Sequence, residues 1–427
     1  MTTTDLVGLR IKTVRRQRGL SQAQLAHPEL SDSYISLIES GKRTPTPAVL
    51  ELLAQKLDCS LSYLLNGVTA EQMEDLELAL GYAQLALENG EAREARTRFL
   101  ELMADNNLTG LATLRQAVEF GLARAHEACG DLEQAVAVLR RLREDDLPAE
   151  RRIEVAIALS RVYRVGGRLS EAVEVAEGML TSASRPAWTD GLVELGATLL
   201  AAYLERGDLL RSRQFAAELL DAADALGTPR AIVAANWNAA YAALWTQHGE
   251  DALTFAERAI AVQEENGAAR NTARMQVTLA HLYLGVRPGE IGRARELLAR
   301  AAQTMAETSA SSFEQTNARL EQARAEIIGG DLDRALQFVT DVERHLPEMA
   351  SRSVVEMHLL RSRILTLRSE GEQAGAELRA ARERIDELSG GTYGLASWYA
   401  VAESYELLGD SDNSVDAYQR ALAAAGL

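Results

Sequence analysis

Glycine returns at a nearly fixed interval down most of this 427-residue chain: Gly90, Gly130, Gly167, Gly207, Gly249, Gly289, Gly330, Gly371 and Gly409. The steps are 40, 37, 40, 42, 40, 41, 41 and 38 residues. Self-similarity at such a period marks a repeat architecture in which each unit is one supersecondary motif. Each glycine lies between two helical patterns. A small residue stands five positions after most of them (Ala95, Ala135, Ala172, Ser212, Ala294, Ala335, Ala376 and Ser414), while Gly249 reaches Ala252 in three, which reads as a tighter turn. Four positions further on come Phe99, Leu139, Ala176, Ala256, Leu298, Val339 and Tyr418, and three more reach Leu102, Leu142, Met179, Leu219, Ala259 and Ala421. Small residues let paired helices approach closely, and larger ones fill the gap to the next pair. A single pair cannot bury its faces alone, so pairs stack into a solenoid. The register predicts an all-α chain with about nine helix pairs over residues 71–427.

The hydrophobic share of 47% suffices for a large core, but no apolar run is long enough to cross a membrane. The amino terminus carries no signal-peptide pattern. The two cysteines, Cys59 and Cys129, fall in different segments; that suits a reduced cytosol and offers neither a disulfide framework nor a zinc site. A cytoplasmic protein without a membrane partner is expected.

Residues 1–67 follow another pattern. A first helix is expected from about Asp5 to Arg18, with Leu6, Leu9, Ile11 and Val14 as its apolar stripe, stopped by Gly19. Ser21 caps a short second helix with Gln24 in capping-box position, and Pro28 ends it. Ser31 opens a third helix through Ser40, with Ile35 and Ile38 inward. Thr46 caps a fourth, with Pro47 at its first position and Val49, Leu50, Leu53 and Leu57 inside. Leu61, Leu64 and Leu65 begin a fifth, closed by Asn66-Gly67. Five short helices with a tight turn between the second and third predict a helix-turn-helix DNA-binding domain over 1–67. The repeats over 71–427 are then the ligand-sensing and dimerisation domain. Residues 1–67 hold eight Lys/Arg and six Asp/Glu, whereas the whole chain is at −17. An acidic body repels phosphate and confines contact with double-stranded DNA to the small head. The head's modest charge calls for two heads on a two-fold site, hence a homodimer.

The residues Gly19-Leu20-Ser21-Gln22, Leu25-Ala26, Tyr34-Ile35-Ser36, Ile38-Glu39, Gly41-Lys42 and Leu64-Leu65 resemble the phage-repressor-like (Xre-type) regulators. The turn His27-Pro28-Glu29-Leu30 departs from that family by lacking its glycine and being one residue shorter. The resemblance implies that Asp32, Ser33, Ser36 and Leu37 face base edges in the major groove. It places Tyr34 on a phosphate or thymine methyl, Gln22 on a phosphate, and Lys42 and Arg43 on the backbone. Arg15 and Glu39 match a family pair tying the first helix to the third, a structural role. Ser31 reads as a cap, and Asp32 also complements the positive end of its helix.

The later repeats resemble tetratricopeptide repeats with degenerate motifs and a period longer than usual. In such folds the first helix of each pair lines a concave face. Numbering back from the glycines puts Arg161 and Arg164, Asn236, Arg274 and His281, Asn317 and Arg324, and His358, Arg361 and Arg368 on that face. Amides hold an extended backbone and guanidinium groups hold a carboxylate bidentately, so Asn236, Arg274, His281, Asn317, Arg324, His358 and Arg361 are the candidate ligand residues. Arg is also common on solvated helix faces, where i,i+4 pairing explains it. Trp188, Trp237, Trp245 and Trp398 are expected in inter-helix packing.

The domain order is similar to that of the peptide-pheromone-responsive regulators of Gram-positive bacteria (the RRNPP group). That resemblance implies a short imported peptide on the concave face that repositions two DNA heads. No HExxH, GxGxxG after a strand, GxxxxGK[ST] or GxSxG occurs, and His126-Glu127 lacks a second histidine at the zinc-binding spacing. No enzyme activity, cofactor or metal is therefore expected. The leading reading is a transcription regulator gated by a peptide or small-molecule effector. The alternative is a regulator whose repeats bind a partner protein as an interaction scaffold, without a small effector.

Overall fold

The computed structural model describes residues 3–181, 187–308, 310–344, 351–386 and 392–424, and among them all regular structure is helical. The chain divides into two compact units, 1–142 and 143–427. The expected domain boundary at 67–71 falls inside the first unit.

The head consists of α1 (Thr3–Gln17), α2 (Gln22–Ala26), α3 (Asp32–Glu39), α4 (Pro47–Lys56) and α5 (Leu61–Asn66). Local chemistry sets their limits. Ser21 and Gln24 form a reciprocal capping box, Ser31 accepts from the Tyr34 N–H, and Thr46 accepts from Val49 with Pro47 in the first turn. Each such cap contributes about 1 kcal/mol. The core gathers Val7, Ile11, Val14, Leu25, Ile35, Ile38, Leu50, Leu53, Leu57 and Leu64. The buried side of α1 thus passes through Val7 and Ile11, and Leu9, expected inside, is 47% exposed. A helical face advances by three or four residues, and Val7, Ile11 and Val14 satisfy that spacing. Gly8 lies where α1 crosses α3: a Cβ there would stand 2.1 Å from the Ile38 carbonyl oxygen. Lys56 reaches from the end of α4 to donate to the His27 carbonyl at 2.7 Å and to those of Leu25 and Ala26, and it pairs with Glu29. One ammonium therefore serves the orphan carbonyls at the end of α2.

The remaining helices alternate as first and second members of hairpins. In the first unit, α6 (Ala70–Glu88) is followed by α7 (Ala92–Ala104), and α8 (Ala112–Cys129) by α9 (Leu132–Glu144). The second unit holds α10 (Ala149–Val165) and α11 (Leu169–Leu180), α12 (Asp190–Arg206) and α13 (Leu209–Leu226), and α14 (Pro229–Trp245) and α15 (Gly249–Asn266). It continues with α16 (Ala269–Val286) and α17 (Ile291–Glu307), α18 (Ser312–Gly329) and α19 (Leu332–Glu343), α20 (Ser351–Leu367) and α21 (Gly371–Asp386), and α22 (Thr392–Leu407) and α23 (Ser411–Ala424). Within it each hairpin packs on itself and on the next. First helices also touch across hairpins, as α10 on α12, α12 on α14, α16 on α18, α18 on α20 and α20 on α22.

The turn inside most hairpins closes in one way. At Gly90, Gly130, Gly167, Gly207, Gly330 and Gly409 the backbone is left-handed. The next N–H returns to the carbonyl five residues back, as Asp131 does to His126 and Asp410 to Tyr405. This is the Schellman closure that glycine favours. Gly249 and Gly371 do not perform it. Gln247 and Ser369 take the left-handed conformation instead, with His248 bonding back to Ala243 and Glu370 to Leu365. Counted from those residues, the buried small side chain again comes five positions on, at Ala252 and Ala374. Ala376, expected in that role, is exposed. Gly289 sits in a one-turn 3-10 helix, Pro288–Glu290.

The position five after the turn is buried throughout. Ala95, Ala135, Ala172, Ser212, Ala252, Ala294, Ala335 and Ala374 have no exposed surface, and Ser414 very little. Two serines on first helices confirm this alignment: Ser160 donates to the Ala172 carbonyl and Ser362 to that of Ala374, each seven positions before its turn residue. Leu180 rather than Met179 is buried at the end of α11. Trp398 is buried beneath Arg420, but Trp245, expected in packing, is 45% exposed.

Candidate nucleic-acid interface and repeat groove

In the head, a buried cluster fixes α3. Arg15 on α1 donates through Nε and Nη2 to the two oxygens of Glu39, at 2.6 and 3.0 Å, and through Nη1 to the Leu20 carbonyl. Gln22, at the start of α2, donates to the same carboxylate at 2.8 Å. Burial works against the Glu39 charge, but the hydrogen bonds from Arg15 and Gln22 outweigh it and hold the carboxyl below the usual range. Three helices thus meet at one carboxylate. Gln22, expected on a phosphate, spends its amide on this cluster in the present state.

The opposite side of α3 is open. Asp32, Ser33, Ser36 and Leu37 are exposed, as are Lys42 and Arg43 just beyond. Asp32 accepts from the Ser33 N–H, so part of its charge is used to finish the helix start. Tyr34 is half-buried, with the Arg43 guanidinium 5.4 Å from its ring centre, a cation–π contact that positions both. The six other expected DNA residues therefore share one solvent-facing surface with Tyr34 at its edge, while Gln22 stands behind it.

In the second unit the expected cations of α16 and α18 join ion pairs across first helices, whereas His358 and Arg361 of α20, expected on the same face, turn to carboxylates of the second helices α19 and α21 and line neither cavity described below. Arg270 and Arg274 on α16 share Glu314 of α18. His281 on α16 meets Glu321 of α18 at 3.1 Å. Glu321 also pairs with Arg324, which reaches Glu356 of α20 at 2.6 Å. His358 bonds Glu377 of α21 at 2.6 Å, and Arg361 takes Glu343 bidentately at 3.0 and 2.6 Å, with Glu377 as a second partner. The bond from Glu321 lifts the His281 pKa above its ordinary value. Burial opposes the Arg324 charge, but Glu321 and Glu356 more than compensate. Arg368 pairs with Asp333, and Arg164 with Glu205. Asn317 is half-buried on α18.

Asn236 needs a correction. It has no exposed surface; its amide donates to the Ile232 carbonyl one turn back and its Oδ1 has no hydrogen-bond partner among the described residues. The alanines around it on α14 (Ala231, Ala235, Ala239 and Ala240) bring the neighbouring helices so close that this position is core.

Two adjoining cavities run along the first helices. One, about 620 Å³, lies among α18, α20 and α22 and is lined by Arg324, Glu356, Arg363, Glu403 and Glu406 with apolar neighbours. The other, about 490 Å³, lies among α16, α18 and α20 and is lined by His281, Arg324 and Arg363 with leucines and isoleucines. Both have the size of ligand clefts. His281 and Arg324 were legible as lining residues. Arg363 was not, because numbering from Gly371 instead of Ser369 shifted the eighth pair by two residues, and Glu403 and Glu406 of the ninth pair were not, because only cations and amides are expected on this face from the sequence. Among the described residues no group of three or more His, Cys, Asp or Glu side chains could hold a metal ion, and no helix is long and apolar enough to cross a membrane.

Comparison with known proteins matches the helix-turn-helix family to residues 11–64. The chain is 37% identical over 70 residues to the HTH-type transcriptional regulator PrpR of Mycobacterium tuberculosis, covering 16% of this chain and 14% of that protein. It is 38% identical over 72 residues to the immunity repressor protein of Bacillus phage phi105, covering 17% and 50%. The chain therefore spans half or less of these two relatives, and each likeness covers 70 to 72 residues. Among solved structures it is similar to a Rap protein complexed with competence and sporulation factor, at TM-score 0.53 and 14% identity over 83% of this chain and 98% of that one. It is also similar to the apo form of the quorum sensor NprR from B. thuringiensis, at TM-score 0.50 and 14% identity over 82% and 99%. At that identity the likeness is one of fold.

Proposed function

From an amino-terminal helix-turn-helix domain of the Xre type joined to tetratricopeptide-like helical repeats, we propose that this chain is a sequence-specific DNA-binding transcription regulator. Residues 1–67 read a two-fold operator as a homodimer, and the first-helix face of the repeats over 71–427 receives a peptide or small-molecule effector that alters operator affinity. The observation that carries the reading is the asymmetry of α3: one side clamped by Arg15, Glu39 and Gln22, the other offering Ser33, Ser36 and Leu37 to solvent. The structural neighbours named as a quorum sensor and as a complex with competence and sporulation factor support the effector part. Such control requires the effector to bind two shapes of the repeats unequally; a tenfold shift takes about 1.4 kcal/mol of difference.

Genome-wide binding followed by electrophoretic mobility shift on the recovered sites tests the first half. Absence of any preferred duplex would discard it. A thermal-shift screen against short peptides and culture extract tests the second, since a ligand of the folded state raises the melting temperature with concentration. A second reading, in which the repeats bind a partner protein, draws on α6. Leu78, Tyr82 and Leu85 are more than half exposed there at helical spacing, an apolar stripe suited to a protein surface. Stabilisation by a purified protein partner alone would favour it.

A further inference from the structure

We propose that the first-helix face of the second unit selects an apolar peptide of roughly six residues, its free carboxylate held by Arg363 and its amino end directed toward Glu403 and Glu406. This rests on the reading of that face as an effector site and adds the charge and direction of the occupant.

Three cations line the two adjoining cavities: His281, Arg324 and Arg363. The first two are committed, His281 to Glu321 and Arg324 to Glu321 and Glu356. Arg363 lines both cavities and is half-buried, yet among the described residues it has no hydrogen bond or ion pair. A guanidinium held partly out of water with its donors unanswered is a ready bidentate partner for a carboxylate. Across the larger cavity, α22 presents Glu403 and Glu406. Glu406 accepts from the Tyr418 hydroxyl at 3.1 Å, and neither glutamate has an ion-pair partner among the described residues. With Glu356 of α20 matched to Arg324, the unmatched charges of the cleft among the described residues are Arg363 on α20 and the two glutamates on α22.

An apolar row accompanies the charges. Ile328, Leu367 and Leu407 are 42, 46 and 55% exposed. Each stands two residues before a left-handed turn residue: Gly330, Ser369 and Gly409 respectively. One helical turn earlier come Arg324, Arg363 and Glu403. Two rows, one charged and one apolar, thus cross α18, α20 and α22 side by side. Neighbouring helix axes lie ~8–10 Å apart, so three helices span ~16–20 Å. An extended chain rising ~3.3 Å per residue covers that with about six residues. A fatty acid would satisfy Arg363 and the apolar row but leave the two glutamates unanswered. A polyanion would meet their repulsion.

The test is affinity selection with the full-length protein. The probe is a hexapeptide pool of Ala, Val, Leu, Ile, Phe and Tyr, each sequence present as free acid and as carboxamide, with free and acetylated amino ends. Bound peptides are read by mass spectrometry. The wild type should retain acids over amides by about tenfold, the scale of one charge-assisted pair. Arg363→Gln should bring that ratio to unity, and Arg363→Lys should restore part of it. Arg363 has no bond to lose among the described residues, so the helical content of both variants should match the wild type by circular dichroism. Glu403→Gln with Glu406→Gln should keep the acid preference and lose the preference for a free amino end. Equal retention of acids and amides by the wild type overturns the role of Arg363 and leaves the effector reading standing. Retention of decanoic acid as strong as that of the peptide acids, and insensitive to the two glutamates, overturns the peptide in favour of a fatty acid. No retention of any peptide overturns both the proposal and the reading of this face as a peptide receptor.

Discussion

The head and the repeat groove both present charged and polar side chains for a partner, but they hold them differently. Around α3, Ser33, Ser36, Leu37 and Lys42 face solvent, and the buried charges sit behind them in the Arg15–Glu39–Gln22 cluster. Along α16, α18 and α20 nearly every expected cation is already matched to a carboxylate. A DNA surface must meet a phosphate array that sheds its own counterions, and free donors on a rigid helix suit that task. In the repeats most half-buried guanidinium groups are matched, because desolvated charge without a partner is costly, and among the described residues Arg363 is an exception. The same residue types thus stand open to solvent in one place and neutralised in the other, and burial decides which.

This contrast breaks most visibly at the cluster behind α3. Glu39→Ala should strand the Arg15 guanidinium and destabilise the head by about 3–5 kcal/mol, read as loss of the head's transition in chemical denaturation; a loss near zero would mean that the pair does not hold α1 to α3. Gly8→Ala follows. Its methyl would press on the Ile38 carbonyl, and forcing the helices apart should cost about 1–3 kcal/mol, with operator binding weakened in step. In the groove, Arg324→Ala should remove the effector response, a coupling of about 1–3 kcal/mol, while DNA binding without effector stays intact. A response of wild-type size would place the effector elsewhere. Ser33→Ala with Ser36→Ala should weaken operator binding by about 1–2 kcal/mol without loss of fold. Unchanged affinity at physiological salt would take both hydroxyls out of the interface.

The smallest effect is a pH dependence. The folded-state pKa of His281 is raised by Glu321, with Arg324 opposing and Glu356 assisting. Its contribution to stability is therefore complete below the ordinary histidine value of 6.5 and fades as pH rises through the raised one. The melting temperature of the wild type minus that of His281→Gln should fall across that window; a difference that grows with pH would contradict the pairing.

Much of the fold was legible because helix caps and small buried residues are local signals. Ser21, Ser31, Thr46 and Pro47 announce helix starts by their own hydrogen-bond chemistry, and all act as read. The repeat was legible through its turns, but the residue that performs the turn is defined by backbone conformation, which glycine favours without monopolising. At Gln247 and Ser369 other residues take it, so counting from glycine slipped by two and hid Arg363. The alanine or serine five positions later would have been the safer landmark, since a side chain with no exposed surface has no latitude in size. Asn236 illustrates a different limit. Its identity suggested an amide for a ligand, but the depth of α14 among alanines is a property of the neighbouring helices and not of that residue.

The array across α16, α18, α20 and α21 has an electrostatic consequence. Glu314, Glu321, Arg324, Arg361 and Glu377 each touch two groups of opposite sign. When one of those contacts is lost, each of these five groups keeps a second partner of opposite sign. Charge in this array is thus shared over several hairpins rather than locked in isolated couples, above a hydrocarbon core that the ion pairs do not enter.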